Sequence, residues 1–339
     1  DMISISLCMI VKNEERVLER CLKSICDLVD EIVIVDTGST DQTREIAARF
    51  TQRIYDYKWK DDFADARNFA FSKAGCEYIY TADADEVLDE ENRRKFKILK
   101  ETLMPEIEIV QMYYGNQLSC GTVYNYNREL RPKLFRRSRS FVWVDPVHET
   151  VRLLPLVFDS EIEITHLPEE NHASRDLAIF EKEVRTGRRL SDRLMTMYAK
   201  ELLLSGSREE LLRAEDYFTE AADHKAAAPE QMQEALCVVV RAARLRGDDL
   251  KMYRYAMKGI TDEGIGEVCF ELGEYYFGKQ EYEEASIWYY NGVYETRSIL
   301  NVHCSGDTAL MRLADCYQAL GQEEMAAQYR QAAESWSAE

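Results

Sequence analysis

The chain has 339 residues, 46% of them hydrophobic with only 15 Gly and 6 Pro, which describes an ordinary helix-rich globular composition long enough for about two domains. Its formal net charge of -19 excludes sequence-independent binding to nucleic acid or anionic lipid, because either polyanion would repel most of this surface. No apolar run approaches the ~18 residues that a membrane span needs and no signal-peptide profile opens the chain, so a cytoplasmic protein without an integral membrane segment is expected.

Taken in order, an apolar strand is predicted from Ser4 to Val11, a helix from about Glu14 to Ile25, a strand from Glu31 to Asp36 and a helix from about Asp41 to Phe50. Ser39 or Thr40 is the expected cap of that second helix, with Asp41 in its first turn. Short apolar strands alternating with amphipathic helices read as a mostly parallel βαβ sheet, and such sheets keep their ligands beyond the carboxyl ends of the strands. After the strand-like Tyr78-Ile79-Tyr80 the pattern loosens, with strands expected at Ile107 to Tyr114, Lys133 to Arg136 and Glu161 to His166. Beyond about residue 174 helix follows helix. There Leu272-Gly273, Tyr276, Tyr282, Glu284-Ala285 and Tyr289 resemble a tetratricopeptide helix pair. A second copy, Leu313-Ala314, Tyr317, Gly321, Ala326-Ala327 and Tyr329, follows 41 residues later. Tyr198 to Ala222 and Gln233 to Ile260 share the texture with poorer matches; the Leu, Ala and Tyr stripes are packing residues between stacked helices. The nine cysteines have no paired spacing and no zinc pattern, which fits free thiols in a reducing compartment. Asp1 stands before Met2, and Met2 reads as the native start.

Chemistry-bearing residues gather in the first half. In Asp83-Ala84-Asp85, two carboxylates one residue apart follow a strand and suit one hard divalent cation that also bridges phosphate oxygens. Ile10-Val11-Lys12-Asn13-Glu14-Glu15 closes the first strand and Val35-Asp36-Thr37-Gly38-Ser39-Thr40-Asp41 the second, which is where a nucleoside would lie. Glu14 and Asp41 also read as helix-start acids. Asp36 ends an apolar strand and needs a partner, which a base or ribose would supply. In Trp59-Lys60-Asp61-Asp62-Phe63-Ala64-Asp65-Ala66-Arg67-Asn68, helical spacing turns Arg67 away from Asp65 and leaves it to reach a diphosphate. Arg128, Arg131, Lys133, Arg136, Arg137 and Arg139 form a basic stretch in an acidic protein; it reads either as an attractor for diphosphate or an anionic acceptor, or as a solvated strand face.

The order KNEE, VDTGSTD, WxxDFADARN, DADE, LFRR and VHE, over residues 4 to 170, resembles a family 2 glycosyltransferase of GT-A fold. More narrowly it is similar to the subset with a tetratricopeptide-like helical tail, which includes peptide S-glycosyltransferases that modify bacteriocins and more distant lipopolysaccharide-core enzymes. The resemblance implies an α/β nucleotide-sugar-binding domain, Rossmann-like in its first half, at residues 1–172, and an all-α domain at 173–339. It further implies a UDP-sugar donor, inversion at the anomeric carbon, and Mn²⁺ or Mg²⁺ held by Asp83 and Asp85, with Asp85 the more direct ligand. A late histidine commonly joins the metal in this family, and His166 matches it; a core or surface histidine is the alternative. Glu149 is the candidate base, with His148 orienting it, binding the acceptor or acting as base itself. Asp145, before Pro146, reads as a turn residue, and Trp143 either stacks on a ligand or fills the core. Arg136, from the LFRR match, is the cation assigned to the donor. Helical repeats bind extended peptides, so a peptide or protein hydroxyl or thiol is the expected acceptor. A surface glycan or lipid-linked saccharide, and a degenerate transferase acting as a binding module, stand as alternatives. A nucleotidyltransferase would carry a Gly-rich basic loop after the first strand, and KNEERV is not one. The helical part also leaves room for self-association.

Overall fold

The computed structural model describes residues 2–115, 128–137, 143–151, 156–167, 173–261 and 263–338. Backbone contacts group the chain into two compact units that divide near residue 171.

The first unit is an eight-stranded mixed sheet with helices on both faces. Its parallel half comprises β1 (Ile5–Val11), β2 (Glu31–Asp36), β3 (Ile54–Asp56) and β4 (Tyr78–Thr81), with β1 between β2 and β4 and β3 at the edge. The run ISLCMIV is buried on both faces, as a central parallel strand must be. Ile5, Leu7, Met9 and Val11 pack with Leu18, Leu22 and Ile25 of α1 (Leu18–Ile25). Cys8 points the other way, into a cluster with Val33, Val35, Ile79 and Ala70, the last from α3 (Phe63–Ser72). Phe96 and Leu99 of α4 (Glu90–Thr102) join the α1 side.

Both early helices are shorter than expected. Before α1 the backbone turns at Asn13, with φ 53°, and the Glu14 carbonyl accepts the first amides, from Val17 and Leu18, so Glu14 precedes the helix. The helix α2 (Thr43–Ala48) is not capped by Ser39 or Thr40: Asp41 accepts the Thr43 amide at 3.0 Å, because Ser39 and Thr40 are used elsewhere.

The second half of the sheet departs from simple βαβ alternation. β7 (Arg128–Arg136) runs antiparallel between β4 and β6 (Ile109–Gly115); β10 (Val157–His166) lies parallel to β6, and β5 (Glu86–Val87) closes the edge antiparallel to β10. A two-stranded ribbon, β8 (Trp143–Val144) with β9 (Thr150–Val151), stands apart from it.

The second unit contains the helices α5 (Ala173–Arg185), α6 (Asp192–Ser205), α7 (Arg208–Asp223), α8 (Pro229–Arg246), α9 (Asp249–Gly259), α10 (Gly266–Gly278), α11 (Tyr282–Tyr294), α12 (Asp307–Ala319) and α13 (Glu323–Glu334). The two sequence repeats are the pairs α10–α11 and α12–α13. Gly273 allows the first pair to close, since a Cβ there would lie 2.5 Å from the Tyr289 ring, whose hydroxyl donates to Glu274 at 2.7 Å. No described helix is long and apolar enough to cross a membrane, and the eight described cysteines are all free.

Two carboxylates one turn apart on α10 give this unit a pH signature. Glu271, 1% exposed, is paired with Arg241 and with Arg244, the latter at 2.6 Å. Burial opposes its charge, but the two guanidinium groups outweigh it and hold the pKa below the ordinary value. Glu267 is equally buried; burial raises its pKa even though it accepts the amides of Ile299, Leu300 and Asn301. The signs therefore oppose. Glu271 contributes stability above the unfolded carboxylate pKa, about 4.3, and loses it as pH falls through its lower folded value; Glu267 loses its contribution as pH rises through its raised one. Arg241→Met is expected to cost on the order of 3 kcal/mol near neutrality and to flatten the acid limb of stability, measured by denaturant unfolding between acidic and neutral pH.

Candidate active site

The carboxyl ends of β1 and β2 form two turns that are stitched together. Asn13 donates its amide to Ser39 Oγ at 2.9 Å, and its Oδ1 accepts the Thr40 amide at 2.8 Å. The Glu14 amide donates to Thr43 Oγ1 at 2.8 Å. Asp36, 3% exposed, accepts from the Ser39 amide at 3.2 Å and hydroxyl at 2.5 Å and faces Arg44 at 3.4 Å. The partner that a strand-ending carboxylate requires is thus supplied by its own turn. Beside it, Val11 is buried and its carbonyl accepts the Thr37 amide, while Ile10 is partly exposed.

The acidic pair follows β4. Asp83 opens outward, its side chain 58% exposed. Crowding by protein opposes its charge, but Arg67, then Lys133, His166 and Arg131, outweigh this and lower its pKa. Ala84 between the acids is buried, and Asp85 turns inward. The β5–β10 register, with His166 opposite Glu86, delivers His166 to the pair: its Nε2 lies 2.9 Å from Asp85 Oδ2. The other oxygen, Asp85 Oδ1, is buried with no hydrogen-bond partner among the described residues. Asp85, with one unsatisfied buried oxygen, and His166 offer a carboxylate and an imidazole, donor types compatible with Mn²⁺, and Asp83 stands in the same turn, facing Arg67.

The turn is braced from behind by a group that sequence reasoning passed over. Glu86, 3% exposed, accepts the Asp83 amide at 2.5 Å and pairs with Lys133 Nζ at 2.5 and 3.0 Å. Burial raises the Glu86 pKa, with Lys133 opposing. Lys133 belongs to the basic stretch, but Arg136 had been the residue assigned from it. Register corrects this: Arg136 pairs with Tyr78, at the start of β4, about 10 Å along the strand from Thr81. Arg131 and Lys133, two residues apart on one strand face, lie toward the acidic end, with the Arg131 guanidinium 4.1 Å from the Tyr114 ring centre. Arg139 and the Arg128 side chain fall outside the described residues.

The segment that carries Glu149 is fastened to α3. Asp62 caps it by accepting the Asp65 amide at 3.0 Å. The Asn68 amide grips the Trp143 backbone twice, accepting its N–H at 2.8 Å and donating to its carbonyl at 3.1 Å, and the Phe63 N–H donates to the Pro146 carbonyl at 2.9 Å. Trp143 fills the core against Phe71 and Phe135. Asp145 and His148 adopt left-handed backbone, with φ 73° and 48°, as the expected turn requires. That turn brings Glu149 Oε1 to 2.6 Å from Arg67 Nη2, and the same nitrogen lies 3.6 Å from Asp83 Oδ1. Burial would weaken the Arg67 charge, but Glu149 and Asp83 more than restore it. Asp83, Asp85, His166, Arg67 and Glu149 thus come together at one end of the sheet; Asn13, Glu14 and Asp36 stand at the neighbouring strand ends, and Arg136 does not join them.

The mixed, mostly parallel sheet with an acidic pair after its fourth strand is the α/β arrangement that the resemblance to GT-A domains implied. Residues 6–150, within the first unit, match the family model described as glycosyl transferase family 2. Two curated relatives overlap parts of the chain. A TPR repeat-containing protein of Synechococcus elongatus is 46% identical over 87 residues, covering 26% of this chain and 22% of that protein. The SPbeta prophage-derived glycosyltransferase SunS of Bacillus subtilis is 32% identical over 174 residues, 48% of this chain and 40% of that protein. The chain spans less than half the length of either. Among solved structures, glucosyl-3-phosphoglycerate synthase from Mycobacterium tuberculosis, in complex with Mn²⁺ and UDP-glucose, aligns over 56% of this chain and 81% of that one, with 16% identity and a TM-score of 0.39.

Proposed function

We propose that the chain is an inverting, metal-dependent glycosyltransferase that moves a sugar from a nucleotide-sugar, UDP-linked in the first instance, to a hydroxyl or thiol of a peptide or protein. The observation that carries the reading is the turn after β4, where Asp85 meets His166 and Asp83 faces the Arg67 that holds Glu149. Asp83, Asp85 and His166 would hold Mn²⁺ or Mg²⁺, which supplies charge neutralisation for a departing diphosphate. The backbone at Ile10 and Val11 and the turn fixed by Asn13, Glu14 and Asp36 receive the nucleoside. Glu149 accepts the proton of the attacking hydroxyl or thiol, and His148, its neighbour, is the second candidate for that task. Acceptor recognition is assigned to the helical repeats of the second unit, which suit an extended peptide.

A panel of nucleotide sugars incubated with the chain and Mn²⁺ tests the reading. Release of UDP from one of them, abolished by chelation, is the expected outcome; no nucleoside diphosphate from any donor would reject the enzymatic assignment, and pyrophosphate instead would indicate nucleotidyl transfer.

A further inference from the structure

We propose that Arg67 is a positioning residue of the acceptor side: it fixes the Glu149 carboxylate and ties it to the Asp83 end of the donor site, and it does not reach out to the diphosphate. This rests on the reading of Glu149 as base.

The geometry leaves Arg67 little to offer a ligand. Its side chain is 9% exposed. Nη1 donates to Thr81 Oγ1 at 2.7 Å and Nη2 to Glu149 Oε1 at 2.6 Å. The guanidinium lies 5.3 Å from the centre of the Trp143 ring, which is itself locked edge-on between Phe71 and Phe135. Withdrawing Arg67 toward a diphosphate would strand the buried Thr81 hydroxyl and leave Glu149, 15% exposed, without its counter-charge, a change that protein interiors resist.

A planar guanidinium fixes a carboxylate in direction as well as place. Glu149 is faced by Arg67 from α3 and, beyond that guanidinium, by Asp83 from the turn after β4, with His148 next to it in its own loop. Because one nitrogen lies near both carboxylates, the base is indexed to the acidic pair, and the distance between attacking atom and leaving group is set by a single side chain.

The test uses the full chain with UDP-glucose and Mn²⁺, reading UDP release to water and, separately, UDP affinity in the presence of Mn²⁺ by calorimetry. For Arg67→Met the expectation is UDP affinity within about threefold of the parent and UDP release down about 100-fold. Arg67→Met combined with Glu149→Gln should fall no further than Glu149→Gln alone, as expected when one residue acts only through the other. If Arg67→Met does not fold, Arg67→Lys carries the test, since lysine keeps the charge but cannot hold Thr81 and Glu149 in one plane; release should fall about tenfold with affinity again unchanged. A loss of UDP affinity of about tenfold or more would overturn the proposal and make Arg67 a donor ligand. So would additive losses in the double variant. A parent chain that releases no UDP from any UDP-sugar overturns this proposal together with the reading beneath it.

Discussion

Asp85→Ala is expected to lower metal-dependent UDP release by about 10³-fold, the range for removing a group that stabilises leaving-group charge. The cause is local. One Asp85 oxygen is set by His166 and the other is buried with no hydrogen-bond partner among the described residues, a costly arrangement for a group without a ligand. Asp85→Asn, which keeps the shape and loses the charge, should lose nearly as much, because a hard cation selects anionic oxygen. Mn²⁺ titration by calorimetry and the rate of UDP release check both variants. An Asp85→Asn chain that binds Mn²⁺ and turns over normally would remove Asp85 from the metal assignment.

Glu149→Gln should reduce transfer by about 10²- to 10⁴-fold, the range for loss of a general base, while UDP affinity in the presence of Mn²⁺ stays within about threefold. The amide preserves the contact with Arg67 Nη2, so the loop should keep its place and the defect should be chemical. His148→Gln is the control. A smaller loss in His148→Gln supports Glu149 as base, whereas a larger one transfers that role to His148.

Much of the first unit was legible because its chemistry is local in sequence. KNEE and VDTGSTD sit at the ends of continuous apolar runs, and DADE follows a third, so strand ends and acids can be located from hydrophobic pattern alone. His166 was suggested by the family resemblance, which expects a late histidine, and its place at the end of an alternating strand matched it. What could not be read was strand order. The antiparallel entry of β7 between β4 and β6 decides that Arg131 and Lys133, and not Arg136, approach the acidic pair, and no property of LRPKLFRR encodes the neighbour against which it pairs. Likewise Ser39 and Thr40 are reasonable helix caps by residue type, but tertiary contacts with Asp36 and Asn13 claim them, and Asp41 caps instead. The short β5 at Glu86–Val87 left no periodic signal, though it delivers His166. In the second unit, Gly273 and Tyr289 were visible as repeat residues, whereas the buried charges of α10 were not, since Glu271 looks like a surface residue until the α8 arginines are placed and Glu267 until the loop amides of residues 299–301 are.

The grip of Asn68 on the Trp143 backbone bears on how the enzyme could be re-engineered. The segment from Trp143 to Glu149 is held by α3 at three points: Phe63 on Pro146, Arg67 on Glu149 and Asn68 on Trp143. Segments separated by some 75 positions therefore behave as one cassette. Transplanting the 143–149 loop from a homologue, without residues 59–72 of the same donor, would import a carboxylate with no jig to hold it; the loop should be exchangeable only when both segments travel together.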